Sequence, residues 1–149
     1  ADWLEYGGLA TLLSYGIYPV DNNRPRNVKQ LAQQLKLIMP QAHHAFYKNL
    51  DMSFSVGGYF FCHAGVRPGV SVDRQTAHDL LWIRNEFVAS ESDFGKIVVH
   101  GHSPVDAPEA LFNRINVDTG AYATGRLTCA VLWLDQVAFL STEQGLTPM

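Results

Sequence analysis

Two histidines stand where apolar runs end near a glycine. His63 follows the aromatic run of "YFFCHAGVRPG", and His102 follows the β-branched run of "KIVVHGHSPV". At such a position a sheet fixes the backbone while the loop leaves the side chain accessible. Neutral imidazole is the commonest metal ligand among side chains, so two such ends on neighbouring strands could converge on one ion. The alternative for each histidine is a hydrogen bond to a backbone carbonyl.

The other four histidines are weaker candidates. His100 lies two residues before His102, and we expect the glycine between them to bend the chain, so we interpret His100 as a supporting histidine rather than a direct ligand. His43 and His44 fall on a polar helical segment, and His78 lies near a helix start. For these three the sequence favours surface or capping roles.

Two arginines and one glycine-rich loop could bind an anion. Arg84, in "LLWIRNEF", must find a partner for its guanidinium or extend to water. It could hold two phosphate oxygens as a planar fork, or form an ion pair with a carboxylate. Arg67, in "HAGVRPG", is expected to be solvated. The loop "NVDTGAYATGRL" could bring Tyr122 over a site, or simply connect two strands.

The first third of the chain predicts the helices that precede these motifs. Residues 1–15 predict two short helical pieces, broken at Gly7 and Gly8. A loop follows over "GIYPVDNNRPR". Asn27 can cap the next helix, whose apolar residues recur with a period near 3.6 until Pro40 ends it. Another helix is expected from about Gln41 to Leu50.

The rest of the chain has mainly strand character. "MSFSV" and "YFFC" predict a tight hairpin around two glycines, and "KIVVH" and "LFNRINV" predict further strands. One helix is expected over "TAHDLLWIRNEFVAS", and a terminal hairpin is expected to turn at Asp135 and Gln136. The order predicts α+β, or a layered α/β sandwich completed outside the chain. Residues 1–149 are assigned to one partial domain, with no second domain.

Composition excludes several classes of protein. The 149 residues are 47% apolar and 17% charged, which is too apolar for a disordered tail, and a net charge of −3 gives no basic footprint for nucleic acid. No run approaches the roughly 20 apolar residues that cross a bilayer. We therefore expect a cytoplasmic protein with no membrane or nucleic-acid partner. Cys62 and Cys129 lie in apolar runs and are predicted to be buried thiols.

Four motifs together resemble one enzyme family. "HAGVRPG", "DLLWIR", "VVHGHSPV" and "INVDTGAYATGRLTCAVL" are similar, in order and spacing, to the C-terminal half of calcineurin-like metallophosphoesterases of the bacterial serine/threonine phosphoprotein phosphatase branch. The opening "ADWLEYGGLATLLSYG" resembles the segment after that family's third metal motif. The resemblance implies part of a four-layer β-sandwich flanked by helices. It also implies hydrolysis of phosphorylated proteins or small phosphoesters by a metal-activated water, with dinucleoside polyphosphates as the alternative substrates.

The resemblance assigns roles to individual residues. His63 and His102 would be ligands of the same ion in a pair of divalent metals, for which manganese, iron and zinc are the candidates. Arg84 would bind the substrate phosphate. Pro104 stands where other superfamily branches carry a further histidine. Tyr122 and His100 are candidates for residues that line the site.

The chain also departs from the family pattern. The motifs DxH, GDxxDRG and GNHE, which supply the remaining ligands and the general acid, are absent from the 149 residues. No catalytic acid can be assigned, and we expect the chain to be the C-terminal half of a phosphatase that is inactive alone. The alternative is a non-catalytic metal-binding or interaction module. Exposed sheet edges would make such a half prone to self-association.

Overall fold

The computed structural model of the chain describes residues 3–21, 24–142 and 145–148. It divides into two compact units, Ala1–Leu50 and Asp51–Met149, which we call unit 1 and unit 2. Helices dominate unit 1, and unit 2 combines a mixed sheet, an antiparallel sheet and short helices. The predicted mixed α+β class is therefore confirmed, whereas assignment of all residues to one partial domain stays a prediction.

Unit 1 begins with two short helical pieces, as the sequence predicts. One turn of π-helix, Leu4–Gly8, leads into α1, Leu9–Ser14. The break falls at Gly7, whose φ of +96° is rarely adopted by residues with a side chain. The start of the first piece, Ala1, lies outside the described residues.

The predicted loop after α1 contains a small hairpin. Strand β1, Val20–Asp21, pairs antiparallel with β2, Arg24–Pro25. Asn22 and Asn23, which the sequence assigns to this loop, lie outside the described residues. Each strand has only two residues, which is too few to show the alternation of apolar and polar residues that predicts a strand.

Two helices complete unit 1. The first, α2, covers Val28–Ile38 and starts at a capping box: Asn27 accepts a hydrogen bond from the Gln30 amide, and the Gln30 side chain accepts one from the Asn27 amide. Helix α3, Gln41–Lys48, follows Pro40. The apolar side of α2 packs into a small core made by Leu12, Ile17 and Leu31.

The elements of unit 2 are, in chain order, β3 (Ser53–Val56), β4 (Tyr59–Cys62), α4 (Ala77–Trp82), α5 (Asn85–Val88), β5 (Ile97–His100), β6 (Glu109–Ala110), β7 (Arg114–Asn116), α6 (Ala121–Thr124), β8 (Thr128–Trp133), β9 (Gln136–Ser141) and β10 (Gly145–Pro148). The larger sheet has the order β3-β4-β5-β7-β6. Its three central strands are parallel, and its two edge strands run antiparallel to their neighbours. Parallel strands end at the same edge, so β4 and β5 deliver the residues after them to one place.

The smaller sheet covers one face of the larger one. Its strands run antiparallel in the order β10-β9-β8, and the turn between β8 and β9 lies at residues 134–135, one residue earlier than predicted, because Gln136 already pairs with Trp133. Phe139 packs between the sheets against Val99 and Ile115. The predicted terminal hairpin is otherwise confirmed.

Helices α4 and α5 cover the opposite face of the larger sheet. Leu80, Ile83 and Phe87 pack there against Phe60 and Val98. The single helix predicted for this segment is wrong. Helix α4 ends before Ile83, which has an extended backbone with ψ of 143°. This conformation places the Ile83 side chain in the core, where it is 7% exposed. The next residue, Arg84, therefore lies between α4 and α5 and belongs to neither helix.

The two cysteines differ in environment. Cys62 is half-buried, and burial raises the pKa of its thiol to about 12. Cys129 is exposed, so its prediction as a buried thiol is wrong: it follows the buried Thr128 on β8 and points to the opposite face of the sheet. Within the described ranges, no helix combines the length and apolarity needed to span a membrane.

Candidate functional site

The ends of two parallel strands bring His63 and His102 together. Strands β4 and β5 are neighbours in register, and the amide of Gly101 donates a hydrogen bond of 2.9 Å to the carbonyl of His63. Nε2 of His63 lies 3.1 Å from Nδ1 of His102, and the ring centroids are 4.8 Å apart. The expected convergence of the two rings is observed, and metal binding by them stays a prediction.

His102 has an unusual backbone conformation. Its φ of +65° places it in the left-handed region, which costs a residue with a side chain about 1–2 kcal/mol. A tight turn follows, in which the amide of Ser103 donates to the carbonyl of Gly101 at 2.7 Å. The carbonyl of His102 accepts a hydrogen bond of 2.9 Å from Nη1 of Arg84. These bonds hold the imidazole toward His63 rather than along the strand.

The surroundings of His102 favour its neutral form. Burial lowers the pKa of the imidazole, and the positive charge of Arg84 and the neighbouring His63 lower it further. The Trp82 carbonyl and the charge of Asp118 oppose this shift and raise the pKa of His102. Within the described residues, Nε2 of His102 is buried and has no hydrogen-bond partner at normal geometry. Because a metal ion needs the unprotonated nitrogen, this environment suits a ligand.

Arg84 lies beside the two histidines but is exposed rather than buried. Its Nη1 donates a hydrogen bond to the His102 carbonyl, and in the part of the chain that the structure describes no carboxylate forms an ion pair with it. The alternative prediction, an ion pair between Arg84 and a carboxylate, is therefore not observed among the described residues. A guanidinium carries five N–H donors, so most of them remain for another acceptor. Trp82 is 62% exposed next to this arginine, with its ring edge-on to His102 at 5.9 Å.

His100 is a core residue. It is 2% exposed, its Nδ1 lies 3.0 Å from the carbonyl oxygen of Gly101, and its ring packs edge-on against Phe87. Burial lowers the pKa of His100 to about 4, and the charge of Arg114 adds to this, while the Gly101 carbonyl and Asp118 oppose it. The ring packs on the helical core, and no contact with His63 is found in the described chain, so a role for His100 in supporting or lining the site stays a prediction.

The glycine-rich loop forms a rim beside His102. The amide of Val105 donates to the carbonyl of Asp118, and the side chain of Asn116 donates to the carbonyl of Ser103, both at 2.9 Å. Tyr122 lies on the single turn α6 of this loop and is 89% exposed. Among the described residues no ring contact or hydrogen bond links Tyr122 to either histidine, so the structure gives it a place on the rim and no contact within the site.

Arg67 is a residue whose surroundings the sequence did not reveal. The side chain is 42% exposed, in part as predicted, but it is also paired: Nη2 lies 2.6 Å and Nε 3.2 Å from the two carboxylate oxygens of Asp79, and Nη1 lies 2.8 Å from Glu86. Asp79 is 4% exposed, and Arg67 holds the pKa of this carboxyl below its usual range. The signal in the sequence is a carboxylate directly before the apolar run "LLWI", which needs a cation once it is buried.

The three remaining histidines lie away from this pair. His43 is exposed on α3, as its predicted surface role requires, and its Nδ1 lies 2.6 Å from the Tyr15 hydroxyl. His44 is exposed on α3, and its Nε2 lies 3.4 Å from the carbonyl oxygen of Lys36. His78 is exposed on α4, as its predicted surface role requires.

The described residues contain no complete metal site. No group of three or more histidine, cysteine, aspartate or glutamate side chains converges anywhere in residues 3–21, 24–142 and 145–148. His63 and His102 give two nitrogen donors, and a bound ion would need further ligands. The sequence matches no protein-family model and no curated protein.

Proposed function

We propose that the protein containing this chain hydrolyses phosphate esters with a divalent metal ion held partly by His63 and His102. The observation that carries the proposal is the 3.1 Å approach of Nε2 of His63 to Nδ1 of His102. Arg84 is tied to the same histidine through the His102 carbonyl. The two proposed metal ligands and the proposed phosphate-binding arginine thus lie next to one another, which agrees with the roles that the four-motif resemblance implies.

The spacing of the two nitrogens suits a shared metal ion. A histidine nitrogen binds zinc at about 2.0–2.1 Å, so two ligands at angles of roughly 90–110° lie about 2.8–3.4 Å apart. The separation of 3.1 Å between His63 and His102 falls in that range. Without an ion, one ring must donate a proton to the other across the same gap. An ion would replace that proton with little movement of either strand.

Arg84 would bind the substrate phosphate. The planar guanidinium can bond two phosphate oxygens at once, which a lysine cannot do. Its charge would stabilise the oxygens that become more negative in the transition state. A bound ion would supply the activation of water and the neutralisation of phosphate charge.

The architecture agrees with the same family. In unit 2, α4 and α5, the mixed sheet and the antiparallel sheet stack as three layers. We propose that these are part of a calcineurin-like metallophosphoesterase sandwich. The remaining ligands, and the general acid that donates a proton to the leaving group, would come from outside these residues.

A second candidate is a metal-binding module without catalysis. The observation that favours it is that only two ligand histidines converge within the described residues. Two nitrogens can hold an ion weakly but cannot form a two-metal centre. This candidate predicts one weakly bound ion per chain and no turnover of any phosphate ester.

Hydrolysis of p-nitrophenyl phosphate with added Mn²⁺ tests the proposal. We expect the protein containing this chain to turn over the substrate, the His102→Ala variant to lose about 100-fold or more of that activity, and the exposed-histidine control His44→Ala to keep it. Undiminished turnover by His102→Ala would contradict the proposal. Comparing a phosphoserine peptide with diadenosine tetraphosphate then distinguishes the two substrate classes.

A further inference from the structure

Arg67 connects the two helices on either side of Arg84. Its guanidinium makes a two-bond contact with Asp79 on α4 and a third bond to Glu86 on α5. Arg84 lies between those helices, with φ of −130° and ψ of −110°. The angle between α4 and α5 therefore sets the direction in which the Arg84 side chain leaves the backbone.

Several further hydrogen bonds surround the contact between Arg67 and Asp79. The amide of Arg67 donates to Oε1 of Gln75 at 2.7 Å, and Nε2 of Gln75 donates back to the Arg67 carbonyl at 3.2 Å. The hydroxyl of Thr76 donates to Oδ2 of Asp79 at 2.8 Å. Because Asp79 is 4% exposed, removing Arg67 alone would leave its carboxylate with little contact to water and without its cation.

The two histidines are held by backbone bonds that do not involve α5. The carbonyl of His63 accepts a hydrogen bond from the Gly101 amide, which joins two strand ends, and the next residue, Ala64, donates its amide to the carbonyl of Leu80 on α4 at 2.8 Å. The positions of the histidines therefore follow from the sheet and α4, whereas the position of the Arg84 guanidinium depends also on the junction of α4 and α5 and on one bond to His102.

We propose that Arg67 is a positioning residue that fixes the junction of α4 and α5 and so directs Arg84 toward the phosphate. The inference rests on the proposed function, because it concerns the phosphate that the site would bind. Without Arg67, α5 loses its bond through Glu86 and Arg84 samples other directions. Phosphate binding then weakens, and metal binding by His63 and His102 does not.

Two variants remove the connection without leaving a buried unpaired charge. The double variant Arg67→Met/Asp79→Asn deletes both charges of the inner pair, and Glu86→Ala deletes only the outer acceptor. Glu91→Ala, an exposed carboxylate just beyond α5, is the matched control. The measurements are KM and kcat for p-nitrophenyl phosphate with Mn²⁺, the inhibition constant of inorganic phosphate, and Mn²⁺ affinity.

We expect the double variant to raise KM and the phosphate inhibition constant about tenfold, and Glu86→Ala about threefold, because a misdirected fork loses its second bond. Mn²⁺ affinity should stay within about twofold, and Glu91→Ala should match wild type. Unchanged KM with reduced kcat in proportion to lost folded protein would show a merely structural role and overturn the inference. Absence of Mn²⁺-dependent turnover in the wild type would instead overturn the proposed function, and this inference with it.

Discussion

Nε2 of His63 faces Nδ1 of His102 at 3.1 Å, although 39 residues separate them in the chain. Two parallel strands that end side by side produce this approach. The hydrogen bond from the Gly101 amide to the His63 carbonyl continues the pairing of the strands to the residues just before His102. The left-handed backbone of His102 then turns its ring toward its partner. The ends of two neighbouring parallel strands thus hold both imidazoles side by side.

Arg84 should bind phosphate through its planar fork, which gives a prediction for Arg84→Lys. The substitution keeps the charge but removes the bidentate geometry, so we expect KM for p-nitrophenyl phosphate to rise about tenfold with metal affinity unchanged. Steady-state kinetics together with Mn²⁺ titration measure both quantities. A lysine variant with wild-type KM would show that the fork is not used.

Gly65 should tolerate no side chain. Its φ is +153°, and a Cβ atom built there would lie 2.2 Å from Cδ1 of the buried Phe87. We expect Gly65→Ala to lower the free energy of unfolding by about 2–3 kcal/mol, because the core must shift to make room. Urea unfolding measures the effect. The control is Gly58→Ala, where a Cβ would meet nothing within 4 Å, and equal losses in both variants would contradict the packing argument.

Much of this arrangement is predictable from sequence, and the failures have identifiable causes. The convergence of His63 and His102 is predicted by two apolar runs that each end at a histidine near a glycine. The start of α2 is predicted by its capping residue, Asn27. The Arg67–Asp79 pair escapes prediction because the periodicity of a segment does not say which charges meet across a loop. The break at Ile83 escapes it because the apolar spacing of the segment fits one helix equally well. The exposure of Cys129 depends on which face of β8 is covered by the rest of the protein. The apolar run around Cys129 does not indicate which face that is.

The pairing of Asp79 with Arg67 predicts a pH dependence of stability. Arg67 holds the pKa of the folded Asp79 carboxyl below its usual range, so the unfolded chain takes up the proton first as pH falls. The stabilisation is complete above an unfolded pKa of about 3.9 and is lost as pH drops through the lower, folded value. Urea unfolding of wild type and Asp79→Asn from pH 6 to pH 3 measures this effect.

The stability difference between wild type and Asp79→Asn should be constant near neutral pH and shrink below about pH 4. The other carboxyl groups titrate in both proteins, so their contribution cancels in the difference. A difference that stays constant down to pH 3 would contradict the account of this ion pair.

The two thiols should react at very different rates. Cys129 is exposed, whereas burial raises the pKa of Cys62 to about 12, and only the thiolate is nucleophilic. With a disulfide reagent at pH 8 we expect one fast thiol per chain and a second that reacts on unfolding. The fast phase should disappear in Cys129→Ser. A fast phase that persists in that variant would contradict the environment found for Cys62.

The central claim is that His63 and His102 share one metal ion, and isothermal titration of the chain with Zn²⁺ tests it most directly. The account predicts one ion per chain, with affinity reduced by at least about tenfold in both His63→Ala and His102→Ala and unchanged in His44→Ala. Binding that is equally tight in wild type and in both site variants would contradict it.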